Sequence, residues 1–275
     1  MRNLLLKTLK IAAFAYVALL FAAVIFEKSL IFQGKSLPPN FKFQFPGNWA
    51  ERWYEPAPGV DLHALYFRSD SLSRRGVVLY FHGNRDNLAR WGRHAPDFTR
   101  SGYDVLMVDY REYGKSSGKI SAETDLHADA RFVYEQLKKE ISEDSLVLYG
   151  RSLGSGIATR LASETRPRML LLETPYFNLP AVAASKFPLL PYAWLSRFTF
   201  RSDEWITRVS CPIHLFHGTA DGLVPYSHSL RLAAKLGRNP AEILTTIPGG
   251  GHKNLAEFPA YQAAVDSCLF AQFRK

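Results

Sequence analysis

Cysteine is almost absent from the chain: Cys211 and Cys268 are the only two in 275 residues, with no C-x-x-C spacing. That excludes a cysteine metal site. One pair neither demands nor excludes an oxidising compartment, and whether the two pair is left open. Clustered charge is equally scarce. The net charge is +9, yet no basic run exceeds two residues, as at Arg74-Arg75 and Lys138-Lys139. A nucleic-acid partner calls for a basic stripe with aromatic platforms, so no nucleic acid is expected, and attraction to anionic lipid fits better. Glycine patterns for phosphate are missing too. Tyr113-Gly114-Lys115-Ser116 imitates the end of a P-loop, but the required first glycine falls at Asp109. No G-x-G-x-x-G spacing occurs around Gly150, so no nucleotide cofactor is implied. His214 and His217 lie three apart on one strand and point to opposite faces, which argues against a metal site. Repeats and low-complexity segments are lacking, and 47% hydrophobic with 21% charged residues describes a folded globular chain.

What is present begins at the N-terminus. Ile11 to Phe26 is an uncharged apolar run of sixteen residues, somewhat short of the roughly 20 that span a bilayer core. Leu4 to Leu6 extend it if Lys7 and Lys10 snorkel to the interface. The run is apolar all round, unlike an ordinary amphipathic helix, and no small-x-small cleavage site follows in "EKSLIFQG". Residues 1–32 are therefore expected to be an uncleaved single-pass anchor, with 33–40 a linker. Arg2, Lys7 and Lys10 precede the run without an acid, whereas Glu27 accompanies Lys28, Lys35 and Lys42 beyond it. The balance leans toward a cytoplasmic N-terminus and a catalytic domain on the exported or periplasmic face.

From Phe41 onward, short apolar runs alternate with helical patterns. "HALYFRS", Gly76 to Gly83, Tyr103 to Tyr110, Leu146 to Tyr149, Met169 to Glu173 and Pro212 to Gly218 predict strands, as does "AEILTTIPGGG". Helices are predicted around Leu88 to Phe98, Asp125 to Leu137, Ser229 to Leu236 and Leu255 to Phe270. The alternation implies one α/β domain, a mostly parallel sheet with helices on both faces. Chemistry in such sheets sits at the carboxyl ends of the strands. There lie Gly150-Arg151-Ser152-Leu153-Gly154, "HGTADGLVP" with Asp221, and "PGGGHKN" with His252. The G-x-S-x-G stands between a strand and a helix. Its glycines relieve crowding at a sharp turn and leave the serine hydroxyl at a helix N-terminus. A serine becomes a nucleophile when an imidazole takes its proton, and the imidazole needs a carboxylate to fix its tautomer.

These stretches, with "YFHGNRDN" and "DYREYGKSSG", resemble the α/β-hydrolase superfamily of serine hydrolases. Within it the chain resembles the membrane-anchored Bem46-like group related to the ABHD13 and ABHD17 proteins, from about Phe41 to the C-terminus. The resemblance implies Ser152 as nucleophile, Asp221 as acid and His252 as base. It also implies no cofactor, and an oxyanion hole from the backbone N–H groups of Leu153 and Asn84. Three positions depart from the family's usual pattern: Arg85 and Asp86 stand where small residues are common, and Glu112 where glycine is usual. Arg85 is expected beside the oxyanion loop, favouring anionic substrates. Glu173 is a second candidate acid, and His82 is expected to brace the oxyanion loop.

Residues 41–275 are thus expected to form the α/β-hydrolase domain, with a small cap at about 176–208. Phe187 and Trp194 are candidate pocket residues, with Leu190, Phe198 and Phe200 as further aromatic or apolar candidates. The expected function is hydrolysis of an ester or thioester on a small-molecule, lipid or acylated-protein substrate. A peptidase or amidase with the same triad, an acyl-transfer or halogenating activity, and a non-catalytic tethered binding module remain open. Substrate identity and oligomeric state are not legible.

Overall fold

A computed structural model describes residues 1–271; residues 272–275, the end of the expected domain, lie outside the described residues. The core is an eight-stranded sheet: β1 (Trp49–Ala57), β2 (Val60–Phe67), β3 (Gly76–Phe81), β4 (Tyr103–Val108), β5 (Leu146–Arg151), β6 (Met169–Glu173), β7 (Ile213–Gly218) and β8 (Leu244–Ile247). Their spatial order is β1-β2-β4-β3-β5-β6-β7-β8. β1, β2 and β4 pair antiparallel, and every later pairing is parallel. The architecture is α/β, with a mostly parallel sheet.

Strands β3 to β6 are buried along their whole length, as continuous apolar runs should be when helices cover both faces. Side chains alternate between two cores. Leu79, Leu106, Leu148 and Leu172 meet helices α2 (Glu123–Glu140) and α3 (Leu153–Ala162), while Val78, Val105, Val147 and Leu171 share the other face with the C-terminal helix (Pro259–Phe270). In α2 the buried stripe is Leu126, Ala130, Val133 and Leu137. The helix predicted around Leu88 to Phe98 is instead three short turns, Leu88–Trp91, Gly92–His94 and Pro96–Thr99. Gly92 lowers helix propensity, and Pro96 opens a fresh turn.

Helix α1 (Arg2–Ile31) has no fully buried residue and is long and apolar enough to cross a membrane. Residues 33–40, expected as a linker, are pinned to the domain. Gln33–Gly34 pairs in parallel with Arg85–Asp86, and Ser36 bridges to Gly114. The segment expected as a cap carries one helix, Leu179–Lys186, and short turns at Tyr192–Leu195 and Ser202–Trp205. Phe198 and Phe200 are buried in the main core, with Phe198 edge-on to Phe32 at 5.0 Å.

Candidate active site

β5 delivers the chain to a sharp corner. Ser152 sits there with φ 51° and ψ −117°, a conformation costing a non-glycine residue about 1–3 kcal/mol. Close approach explains the flanking glycines. A Cβ on Gly154 would lie 2.1 Å from the Phe81 carbonyl oxygen, and one on Gly150 2.5 Å from the Gly154 carbonyl oxygen. The turn therefore packs backbone against backbone and presents the serine hydroxyl at the end of the sheet.

Loops after β7 and β8 bring two partners to it. His252 Nε2 lies 2.9 Å from Ser152 Oγ, and His252 Nδ1 lies 2.8 Å from Asp221 Oδ2. With its Nδ1–H donated to the carboxylate, His252 accepts the serine hydroxyl at Nε2. Asp221 Oδ1 accepts the N–H groups of Leu223 (2.8 Å) and Val224 (2.9 Å). Burial pushes its carboxyl up, but hydrogen bonds from His217 and His252, the His252 charge and the Leu223 amide outweigh that and hold it well below the usual carboxylate range.

His217, which the sequence offers only as a poor metal ligand, is a neighbour of Asp221. It is buried, with Nε2 3.2 Å from Asp221 Oδ2 and 3.0 Å from the Val224 carbonyl, and Nδ1 2.6 Å from Ser229 Oγ. Its place four residues before Asp221 was the available signal.

Leu153 and Asn84 both line the cavity beside Ser152, and neither backbone N–H is taken by another group among the described residues. The peptide carrying the Asn84 N–H is held from behind, because His82 Nδ1 donates to the Gly83 carbonyl at 2.7 Å. The Asn84 carbonyl accepts from Tyr113 Oη (2.8 Å) and from the Gln33 N–H (2.9 Å).

The cavity at Ser152 has a volume of about 290 Å³. Tyr176, Leu179, Val182 and Phe187 form its cap side, and Ala23, Val24 and Leu30 of α1 form the opposite wall. Phe187, a candidate pocket residue, lines this cavity. Arg85 and Trp194 do not line it. The Arg85 guanidinium turns outward and donates to Gln33 Oε1 at 2.7 Å, leaving the cavity without it. Trp194 is 89% exposed on the outside of the cap.

Glu173 is fully buried away from His252. It takes Tyr149 Oη at 2.5 Å and Arg151 Nε at 3.2 Å. Arg151 reaches on to the Lys253 carbonyl at 3.0 Å, beside His252. The pair therefore braces the histidine loop. Glu173→Gln leaves a buried guanidinium without its counter-charge, which costs about 3–5 kcal/mol. Denaturant unfolding of this variant is expected to show that loss while much of kcat survives. A collapse of kcat without loss of stability would instead make Glu173 the acid.

The chain is similar to several known proteins. The Hydrolase_4 family, serine aminopeptidase S33, matches residues 73–203. The zebrafish (Danio rerio) lysophosphatidylserine lipase ABHD12 is 32% identical over 191 residues, 62% of this chain and 49% of that protein. The chain spans about half the length of such ABHD12 relatives. An uncharacterised protein of Mycobacterium tuberculosis strain H37Rv is 32% identical over 202 residues, 73% of this chain and 71% of its own. Among solved structures, the Pyrococcus furiosus esterase Pf2001 superposes with a TM-score of 0.65 at 20% identity, covering 87% of this chain and 96% of the esterase. Est1E of Butyrivibrio proteoclasticus, with ferulic acid bound, gives 0.65 at 19% identity, over 79% and 97%. At that identity the structural likeness is one of fold. These relatives do not narrow the resemblance to the Bem46-like group.

Proposed function

The chain belongs to the α/β-hydrolase serine hydrolases, and from that premise we propose that it cleaves a lipophilic carboxylic ester or thioester through an acyl-enzyme on Ser152. The observation that carries this reading is His252, within hydrogen-bond reach of both Asp221 and Ser152, the latter lining an apolar cavity. His252 Nε2 takes the serine proton as Oγ attacks the carbonyl carbon, and returns it to the leaving group. Asp221 holds the Nδ1 proton and stabilises the imidazolium. The Leu153 and Asn84 amides receive the oxyanion, already aimed before the charge develops. Water then repeats the sequence on the acyl-enzyme and frees the acid.

The relatives named as lipases support an ester substrate, and the apolar lining supports a hydrocarbon acyl group. We place α1 across a membrane as a single-pass anchor, with the catalytic domain on the exported face. An aminopeptidase reading follows from the name of the matching family. Such an enzyme needs a free carboxylate for the substrate amine. Glu27, on the cavity wall, is already engaged by Ser196 Oγ and the Arg197 N–H. Ester cleavage is therefore preferred.

The test is hydrolysis of p-nitrophenyl esters of increasing acyl length, set against matched anilides, by the full-length protein in detergent micelles. Ester turnover favouring medium or long chains, with anilides far slower, is expected. Faster anilide than ester cleavage would establish the amidase instead, and neither activity would leave a binding role.

A further inference from the structure

The three loop residues that depart from the family pattern share one job: they hold the end of the N-terminal helix and the segment just after it. Glu112 (φ 66°) accepts Lys28 Nζ at 2.8 Å. Asp86 (φ 64°) accepts Lys35 Nζ at 2.9 Å, and Arg85 meets Gln33. Two of these side chains thus stand in a left-handed backbone conformation that glycine adopts more readily. From the cap, the N–H of Arg197 reaches both Glu27 carboxylate oxygens at 3.0 Å. The last turns of α1 are fixed to the domain on both sides of the cavity they line.

A second contact lies far down the helix. Tyr16 Oη donates to the Leu189 carbonyl at 2.8 Å. Tyr16 precedes Glu27 by eleven residues, about 16 Å along an α-helix. It sits inside the uncharged run Ile11 to Phe26, at a depth where a spanning helix is surrounded by hydrocarbon. Leu189 must therefore lie at that depth too. Around it the cap tip is apolar and bare: Phe187 is 61% exposed, Leu189 84% and Trp194 89%. A soluble surface rarely gathers such residues, whereas a membrane interface favours them.

Resting on the reading of α1 as a spanning anchor and of Ser152 as an esterase nucleophile, we propose that the cap tip, residues 187–194, is itself inserted in the lipid leaflet beside α1, and that the cavity between them receives its acyl chain directly from the bilayer. The partner surface is the hydrocarbon of one leaflet, and the substrate class is an ester-linked lipid resident in it. The wall begins inside the uncharged run, at Ala23 and Val24, and continues past Glu27 to Leu30 and Ile31 beside the domain, so it joins the hydrocarbon to the site. A chain lying against Ala23, Val24 and Leu30 points its ester toward Ser152 without first crossing water.

The experiment uses the full-length protein in phosphatidylcholine vesicles with and without brominated acyl chains. Wild type and Trp194→Phe are compared by tryptophan fluorescence, the difference being the Trp194 signal. Bromine is expected to quench that component severalfold; an equally bright Trp194 in both vesicles overturns the insertion. Protein that fails to float with the vesicles overturns the insertion together with the anchor. A Leu189→Asp, Trp194→Asp double variant is expected to lose tenfold or more of its turnover of a vesicle-borne lipid ester and to keep that of water-soluble p-nitrophenyl acetate. Equal loss on both, or loss on neither, overturns bilayer delivery. If wild type cleaves no ester in a Ser152-dependent way, the esterase reading and delivery to it fall, while the quenching result still decides whether the tip is inserted.

Discussion

Ser152→Ala is expected to abolish turnover of every ester the wild type cleaves, with kcat falling about a millionfold, as when a serine nucleophile is removed from an established triad. The expectation has a local basis. The hydroxyl is the group His252 Nε2 faces at 2.9 Å, and alanine leaves that imidazole with nothing to deprotonate but water. The backbone corner should persist, because it is fixed by the glycines at 150 and 154 and by the Ser152 N–H to the Glu173 carbonyl at 3.0 Å, which alanine retains. Thermal unfolding should therefore be little changed. On the proposed mechanism, any residual rate would report what the Leu153 and Asn84 amides achieve alone. The readouts are a burst of p-nitrophenol in the wild type and covalent labelling by a fluorophosphonate, both lost in the variant. A variant within tenfold of wild type would remove Ser152 from the chemistry.

Asp221→Asn is expected to lower kcat roughly ten-thousandfold, the size of effect that follows when the histidine is left in the wrong tautomer. Asparagine still offers one carbonyl oxygen, which can keep the Leu223 and Val224 amides and with them the turn. Its NH2 then faces His252 Nδ1 and His217 Nε2, so donors confront donors. His252 escapes by moving its proton to Nε2, where it can no longer accept from Ser152. Single-turnover rates would show acylation slowed, with substrate affinity little altered. Stability also changes in a defined direction. The Asp221 carboxyl is depressed below its ordinary 3.8, so the wild type holds the added stability above that pH and loses it as pH falls through the depressed folded value. The asparagine variant lacks that increment at neutral pH. An unaltered kcat would pass the role of acid to another carboxylate, and Glu173 is the one to examine.

The sheet was legible because β3 to β7 are largely buried parallel strands, and buried parallel strands announce themselves as short apolar runs. β1 was not. "WAERWYEPA" carries three acidic or basic residues, since an edge strand need not be apolar, and its register shifts between Tyr54 and Ala57 around Pro56. Ser152, Asp221 and His252 could be named because each ends a strand within a recognisable turn, and the structure brings their side chains together. Arg85 was legible only in part. Its place in the oxyanion loop was readable, but the direction of its side chain depends on Gln33, 52 positions away. The docking of α1 was hidden for the same reason. Lys28 and Glu112 are 84 residues apart, Glu27 and Arg197 170, and no periodicity connects them. Composition marked α1 as apolar on every side and could not show that its last turns face a cavity.

That docking bears on how such a protein is made in the laboratory. The usual route to a soluble hydrolase is to delete an apolar leader, here everything before about residue 35. Such a deletion would strip Phe32 from Phe198 and Phe200, now 1% and 0% exposed. It would also unpair Glu112 and take one donor from the Asn84 carbonyl. The purified fragment would offer a groove where the intact chain has a walled cavity, and its chain-length preference would describe the groove. Recoding the outward face of α1 at Phe14, Val17 and Phe21, all well exposed, would gain solubility and leave the wall standing.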